Sequence, residues 1–250
     1  MRISAIIIAK NEEKRIAKAI ASISFVGEII VIDNDSNDST KKISESLGAK
    51  VFSFSGDNFS DCRNFGLEKS TGEWILYIDA DEIVTDELMQ NINFVIQSEN
   101  LISTYKIKRK NFYLGNNEWP RIEIMERLFR RKFLKKWVGV LHESPIFEGN
   151  IAILDGFLLH YSHRNLSEML VKTLEWSQKE AKLRYDANHP QMKWWRFPRV
   201  MIPAFYKSYI SQGGWRVGSV GLIESIYQSF SIFITYAKLW ELQEKHGVEK

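Results

Sequence analysis

The chain has a single cysteine, Cys62, which excludes an internal disulfide and a multi-cysteine zinc site and agrees with a reducing compartment. Long apolar runs are missing too. Ile6-Ile7-Ile8-Ala9 and Ile232-Phe233-Ile234 fall well short of the roughly 20 apolar residues of a membrane-crossing helix, so no transmembrane span is expected. The opening MRISAIIIAK has neither the apolar length nor the cleavage site of a secretion signal and reads as a strand, so a cytoplasmic chain is expected. Glycine is absent where a dinucleotide-binding turn needs G-x-G-x-x-G, since Ala9-Lys10-Asn11-Glu12-Glu13 follows the first strand. No G-x-x-x-x-G-K-[ST] phosphate loop occurs anywhere. A nucleotide held by this chain therefore needs a metal to neutralise its phosphates. There is no internal repeat and no low-complexity segment.

What is present is an ordinary globular chain: 250 residues, 44% hydrophobic and 26% charged, enough for one large domain or a domain with an appendage. The N-terminal third alternates strand and helix signals, which predicts a parallel sheet with crossover helices. Ile3 to Ala9 is a near-continuous apolar run, as expected of a strand covered on both faces. Asn11 is placed to cap a helix running to Ser24, on which Ile16, Ala19, Ile20 and Ile23 recur at helical spacing. Further strands are predicted over 28–33, 51–54 and 74–78, with helices over 39–47, 59–69 and 86–97. After about residue 103 the alternation turns strand-like, over 104–109, 125–130 and 151–160, which predicts an antiparallel extension. Helical spacing returns over 166–185, with Met169, Leu170, Leu174 and Leu183 predicted to share one face.

In an open parallel sheet, ligands gather beyond the carboxyl ends of the strands. Polar clusters stand at three such ends: Lys10-Asn11-Glu12, Asp33-Asn34-Asp35 and Asp79-Ala80-Asp81-Glu82. Carboxylates at the end of a buried strand are costly unless they bind a hard cation or accept several hydrogen bonds. The simpler alternative, that Asp81 caps the following helix, leaves Asp79 and Glu82 without a role. Arg127, Arg130 and Arg131 form a cationic cluster suited to bidentate contact with phosphate, or alternatively a solvated strand edge.

The stretches Ile3–Glu12, VIDNDSNDST at 31–40, RNFGLEKSTGEWILYIDADE at 63–82, RLFRR at 127–131, LHE at 141–143 and QGGWR at 212–216 together resemble the family 2 glycosyltransferases. Within that family the likeness is to the bacterial lipopolysaccharide-core type, which adds a β-linked glucose. The resemblance implies a GT-A fold in the α/β class: a mainly parallel central sheet flanked by helices, with a helical C-terminal appendage. It divides the chain into a catalytic domain over 1–163, whose nucleotide half is about 1–100 and acceptor half about 101–163, and a C-terminal region over 164–250. It also implies an inverting transfer of a sugar, glucose in the likeness, from a UDP-sugar with Mn²⁺ or Mg²⁺ as cofactor. Asp33 and Asn34 would contact uracil and ribose, Ala9 and Glu12 would line the base pocket, and Asp79 would lie by the ribose. Asp81 would hold the metal, Glu143 would be the catalytic base, and Arg63 and Arg130 would contact the donor. His142 would orient Glu143 or touch the diphosphate, and His160 or His163 would complete the metal site. The sequence departs from the family's second motif at Asp35, where a glycine or small residue is common.

The tail is chemically distinct. From Gln191 to Tyr236 five cations (Lys193, Arg196, Arg199, Lys207, Arg216) face one acid, Glu224, among many aromatic rings. That composition fits a segment lying at an anionic membrane surface, or plain packing against the domain or a homodimer partner. A peripheral position on the inner membrane, beside a lipid-linked or core oligosaccharide acceptor, is the expectation. The alternative is a non-enzymatic membrane- or nucleic-acid-binding protein that uses this tail, but a polyanion would meet Asp33, Asp35, Asp38, Asp79, Asp81 and Glu82, so no nucleic acid partner is expected.

Overall fold

The computed structural model describes residues 2–56, 58–140, 143–162 and 165–247. Leu141, His142 and His163 lie outside the described residues. In chain order the elements are β1 (Ile3–Ala9), α1 (Ile16–Ser22), β2 (Glu28–Asp33), α2 (Thr40–Ser46), β3 (Lys50–Ser53), α3 (Phe59–Lys69), β4 (Trp74–Asp79), β5 (Glu82–Val84), α4 (Asp86–Gln97), β6 (Ile102–Tyr113), β7 (Asn117–Glu118), β8 (Glu123–Arg130), β9 (Leu134–Val138), β10 (Ser144–Phe147), β11 (Asn150–Tyr161), α5 (Leu166–Asp186), α6 (Arg196–Tyr206) and α7 (Gly218–Gly247). They fall into two compact units, Met1–Lys110 with Ile122–His160, and Asn111–Arg121 with Tyr161–Lys250. The sequence had assigned 111–121 to the acceptor half.

In the first unit the sheet runs β3-β2-β1-β4-β8-β6-β11-β5. Its first four strands are parallel, and the β4–β8, β8–β6 and β11–β5 pairings are antiparallel. Period-2 alternation explains why β1 is apolar on both faces but for Ser4. Ile3, Ala5, Ile7 and Ala9 join one core with Ile16, Ile20, Leu88 and Ile92 of α1 and α4. Ile6 and Ile8 face the other core, with Cys62 of α3 and Trp137 of β9. Asn58 caps α3, accepting the Asp61 amide at 2.8 Å, and Thr85 caps α4. Asp81 is therefore not the cap of α4. Asn11 does not cap α1 either: it adopts a left-handed backbone (φ 56°) and the helix begins only at Ile16.

At the opposite, amino-terminal end of the parallel strands, Glu28 is buried among donors. It accepts from the Ser4 hydroxyl, from Lys50 Nζ at 2.8 Å, and from the Thr71 amide and hydroxyl at 2.9 and 3.0 Å. Burial opposes its ionisation, but the Lys50, Ser4 and Thr71 donors outweigh it and pull the carboxyl down to about 2. A carboxyl whose pKa is lower in the folded than in the unfolded chain contributes stability that is present above its ordinary value and is lost as pH falls through the folded value. Urea midpoints of the wild type should therefore fall between pH 4.5 and about 2 more steeply than those of Glu28→Gln.

In the second unit α5 and α6 both pack on α7. The buried stripe of α5 is Met169, Thr173, Ser177 and Ala181. The predicted leucine face is overturned: Leu170, Leu174 and Leu183 point outward. Small and polar residues sit inside because α7 reaches across with hydrogen bonds, Tyr227 Oη to the Met169 carbonyl at 2.9 Å and to Thr173 Oγ1 at 2.8 Å. The tail glycines serve a close approach, since a Cβ at Gly221 would lie 1.8 Å from the Gly214 carbonyl oxygen. By length and composition Gly214–Lys245 would suffice to cross a membrane, which short apolar runs in the sequence did not suggest.

Candidate active site

The register sets Ala9 beside Asp33 and Ile8 beside Asp79, so the carboxyl ends of β1, β2 and β4 lie side by side. The loops that follow β1 and β2 are stitched together. The Asn11 amide donates to Ser36 Oγ (3.0 Å), Asn11 Oδ1 accepts the Asn37 amide (2.8 Å), the Glu12 amide donates to Thr40 Oγ1 (2.7 Å), and Asp38 accepts the Glu13 amide (3.1 Å). Asp38 has its pKa lowered: partial burial opposes ionisation, but the Thr40 hydroxyl and amide and the Glu13 amide outweigh it. Asp35 has φ 55°, the left-handed region that favours glycine and that aspartate tolerates better than branched residues. The family's preference at this position is thus a backbone requirement. Asp35→Gly should leave stability and UDP binding unchanged, whereas Asp35→Val should lower stability by about 1–2 kcal/mol in urea titration.

Asp33 is buried, and its Oδ1 has no hydrogen-bond partner among the described residues. A buried, unmatched carboxylate oxygen at a strand end is a place for a ligand N–H. Asn34 is different. Its Nδ2 donates to the Gly56 carbonyl at 3.3 Å and its Oδ1 accepts the Gly56 amide at 3.2 Å, while its own amide donates to the Ala9 carbonyl at 2.9 Å. The side chain that the resemblance sets against uracil and ribose thus also holds the loop at Gly56.

At the end of β4 a chain of alternating charges crosses the sheet. Arg109 of β6 bonds Glu123 (Nε–Oε2 3.0 Å) and Glu82 (Nη1–Oε1 2.9 Å). Arg127 of β8 bonds Glu82 (3.0 Å) and Asp79 (2.6 Å), and Arg63 of α3 bonds Asp79 (3.0 Å) and Glu143 (2.9 Å). Glu82 also accepts the Asp79 amide at 2.9 Å. Burial alone would raise the pKa of Asp79, yet the Arg127 and Arg63 guanidiniums hold it well below the carboxylate range. Burial works against the Arg127 charge in turn, and Asp79 and Glu82 raise its pKa above the usual arginine value. Of the acids that the sequence presented as an acidic crevice, Asp79 and Glu82 are thus paired with guanidiniums.

Arg63 and Asn64 divide two tasks. Gly66, one turn on, lets α3 lie close on β1: a Cβ there would meet Ile6 Cγ2 at 2.5 Å. Asn64 then clamps β9 by donating to the Trp137 carbonyl at 2.9 Å and accepting its amide at 2.7 Å. Arg63 lies 4.8 Å from the centre of the Trp137 ring with its fork fixed between Asp79 and Glu143. Its Nη1 has no hydrogen-bond partner among the described residues.

Asp81 lies in the turn between β4 and β5, with His160 Nε2 3.3 Å and Arg15 Nη1 3.7 Å from its Oδ2. Arg15 also pairs with Glu12 at 2.5 Å, so two of the expected site residues share one cation. The antiparallel register of His160 with Glu82 brings the histidine there. No group of three metal-ligating side chains exists among the described residues. Asp81 and His160 offer one carboxylate oxygen and one imidazole nitrogen, donors that would suit a divalent cation.

Arg130 is not part of this site. It pairs in register with Trp74, five residues back along β4 from Asp79, or roughly 16 Å at the usual rise per residue. There it donates to the Asn100 carbonyl (2.7 Å) and lies over the Trp74 ring. Arg131 likewise bonds Ser70, so of the three arginines only Arg127 faces the strand-end acids. Sequence reading passed over Arg15 and Arg109. Arg15 had a signal in its i, i+3 spacing from Glu12; Arg109, in a run of strand cations, had none.

The acids thus stand in a strand-end crevice of an α/β sheet, the place where such folds bind ligands. Comparison with known proteins gives the family. The profile of Glycosyl transferase family 2 matches residues 4–154, and the chain belongs to that family, a glycosyltransferase with a GT-A fold. Its relatives include an uncharacterized glycosyltransferase of Rickettsia typhi, 32% identical over 98% of this chain and 88% of that one. Another is the lipopolysaccharide core biosynthesis glycosyltransferase LpsC of Rhizobium meliloti, 26% identical over 96% and 92%. Among solved structures, S. aureus TarS 1–349 in complex with UDP-GlcNAc is similar at 14% identity and TM-score 0.49, covering 99% of this chain and 92% of that one.

Proposed function

We propose that the protein transfers a sugar, glucose, from a UDP-sugar to a saccharide acceptor of the lipopolysaccharide core or a related envelope glycan, with inversion, on the cytoplasmic face of the inner membrane. The observation that carries this reading is Arg63, which joins Asp79 of the strand-end motif to Glu143, 64 residues further along the chain, through one guanidinium. The likeness to LpsC over nearly the full length supports the acceptor class.

In this reading the buried Asp33 Oδ1 accepts the imide N–H of uracil, Ala9 and the loops pinned by Asn34 wall the base, and Asp79 faces the ribose. Asp81 and His160 would hold Mn²⁺ or Mg²⁺, which would supply neutralisation of the diphosphate leaving group. Arg63 fixes Glu143 and offers its free Nη1 to the donor. Glu143 accepts the proton of the acceptor hydroxyl as its oxygen attacks the anomeric carbon. The new glycosidic bond forms on the face opposite the departing diphosphate, the electron pair of the broken bond leaves with UDP, and the proton rests on Glu143. Radiolabelled UDP-glucose incubated with truncated lipopolysaccharide and Mn²⁺ should give a labelled β-glycoside. Transfer only from another UDP-sugar would replace glucose, and no transfer from any nucleotide sugar would overturn the reading.

A further inference from the structure

α6 has alternating apolar and polar faces, yet none of its residues is buried. Trp194, just before it, is 82% exposed, and Ile202 and Tyr206 are 67% and 60% exposed. α7, on which α6 packs, leaves Leu222, Ile226 and Phe230 exposed one turn apart. Solvated proteins rarely leave such rings and aliphatics uncovered together. The charges around them are of one sign. Lys193, Arg199, Lys207 and Arg216 are exposed, whereas Glu224, the one acid between 191 and 236, is buried and accepts from Gln228 Nε2 at 2.7 Å. Arg196 lies over the Trp195 ring and Arg216 over the Trp215 ring, at 4.8 and 5.1 Å.

We infer that α6 and the outward face of α7 form an interfacial docking surface for anionic phospholipid, with the rings and aliphatics entering the headgroup boundary and the cations meeting lipid phosphates. This deepens the membrane placement in the proposed function and rests on it. A second copy of the chain is a poor occupant, because a two-fold contact would set these cations against themselves. A nucleic acid is a poor one too, since it would engage the rings and cations but leave the aliphatics Ile202, Leu222 and Ile226 uncovered. The outward leucines of α5 lack the one-sign pattern, being interspersed with exposed Glu175. α7 lies along the surface and does not cross. Its inner face is tied to α5 by Tyr227 with Thr173 and by Arg184 Nη1 donating to Tyr236 Oη at 3.0 Å. α5, with Glu168, Lys172, Glu175 and Lys179 among its residues, cannot follow α7 into hydrocarbon.

The test is flotation of the full chain with vesicles of phosphatidylglycerol and phosphatidylethanolamine, and with phosphatidylcholine alone. Binding is expected to the anionic vesicles and to weaken with salt. Arg199→Gln with Lys207→Gln should reduce it roughly 25-fold, about fivefold per cation. Trp194→Ser with Ile202→Ser should reduce it at least tenfold, with the melting temperature and UDP binding of both variants unchanged. Equal binding to both vesicle types, indifference to both double variants, or retention through alkaline carbonate extraction would overturn the inference. So would a dimer in sedimentation that Trp194→Ser with Ile202→Ser dissociates while flotation is unaltered. Flotation as expected by a protein that binds no nucleotide would leave the docking surface standing and remove the proposed donor site.

Discussion

Glu143→Gln should slow sugar transfer by roughly 10²–10⁴-fold, the usual contribution of a positioned general base, while UDP affinity changes little. Glutamine keeps an oxygen for the Arg63 Nε and Nη2 donors, which lie 3.1 and 2.9 Å from Glu143 Oε1, so the fold is retained and the loss falls on kcat. Steady-state kinetics with saturating UDP-sugar and acceptor read this directly. Arg63→Lys is the companion experiment: a single ammonium cannot span Asp79 and Glu143 as the fork does, so kcat should fall with Glu143 still present. Unchanged kcat in Glu143→Gln would move the base elsewhere in the site.

The second large effect is on stability. Arg127 is buried, and its removal in Arg127→Leu leaves Asp79 and Glu82 short of their main counter-charge in the interior. Breaking a buried pair from one side costs about 3–5 kcal/mol, because the remaining charges lose solvent and partner together. Urea titration at pH 7 should show that loss, and adding Glu82→Gln should recover part of it, since one stranded charge is then gone. Arg130→Leu, which removes a carbonyl contact and a ring contact at the other end of β4, should cost much less and leave UDP binding intact. A smaller loss in Arg127→Leu than in Arg130→Leu would contradict the network.

These two arginines show what a sequence can and cannot disclose. The strands, the crossover helices and the acids at three strand ends are local signals: apolar runs, spacing and motif. Which of Arg127 and Arg130 meets Asp79 depends on the antiparallel pairing of β8 with β4, and three residues along a strand is roughly 10 Å. Arg109 was hidden for the same reason, since only the fold turns one cation of a strand-like run toward Glu82. Asn11 and Asn34 looked like a helix cap and a base reader, yet both join loops, a use that depends on segments more than 20 residues away. On α5 the leucines suggested the inner face, and hydrogen bonding to Tyr227 put Met169 and Thr173 there instead. His160 reaches Asp81 through the β11–β5 pairing, and β5 is too short to announce itself in sequence.

Calorimetric titration of UDP into the protein, with and without Mn²⁺, on the wild type and on Asp81→Asn, tests the donor site most directly. Asparagine has the size and shape of aspartate and keeps an oxygen toward His160 Nε2 and Arg15 Nη1, so the substitution should leave the fold intact. Metal-dependent UDP binding that Asp81→Asn abolishes, with the melting temperature unchanged, is the expected result. UDP binding that is equal with and without Mn²⁺, or that survives Asp81→Asn undiminished, would contradict it.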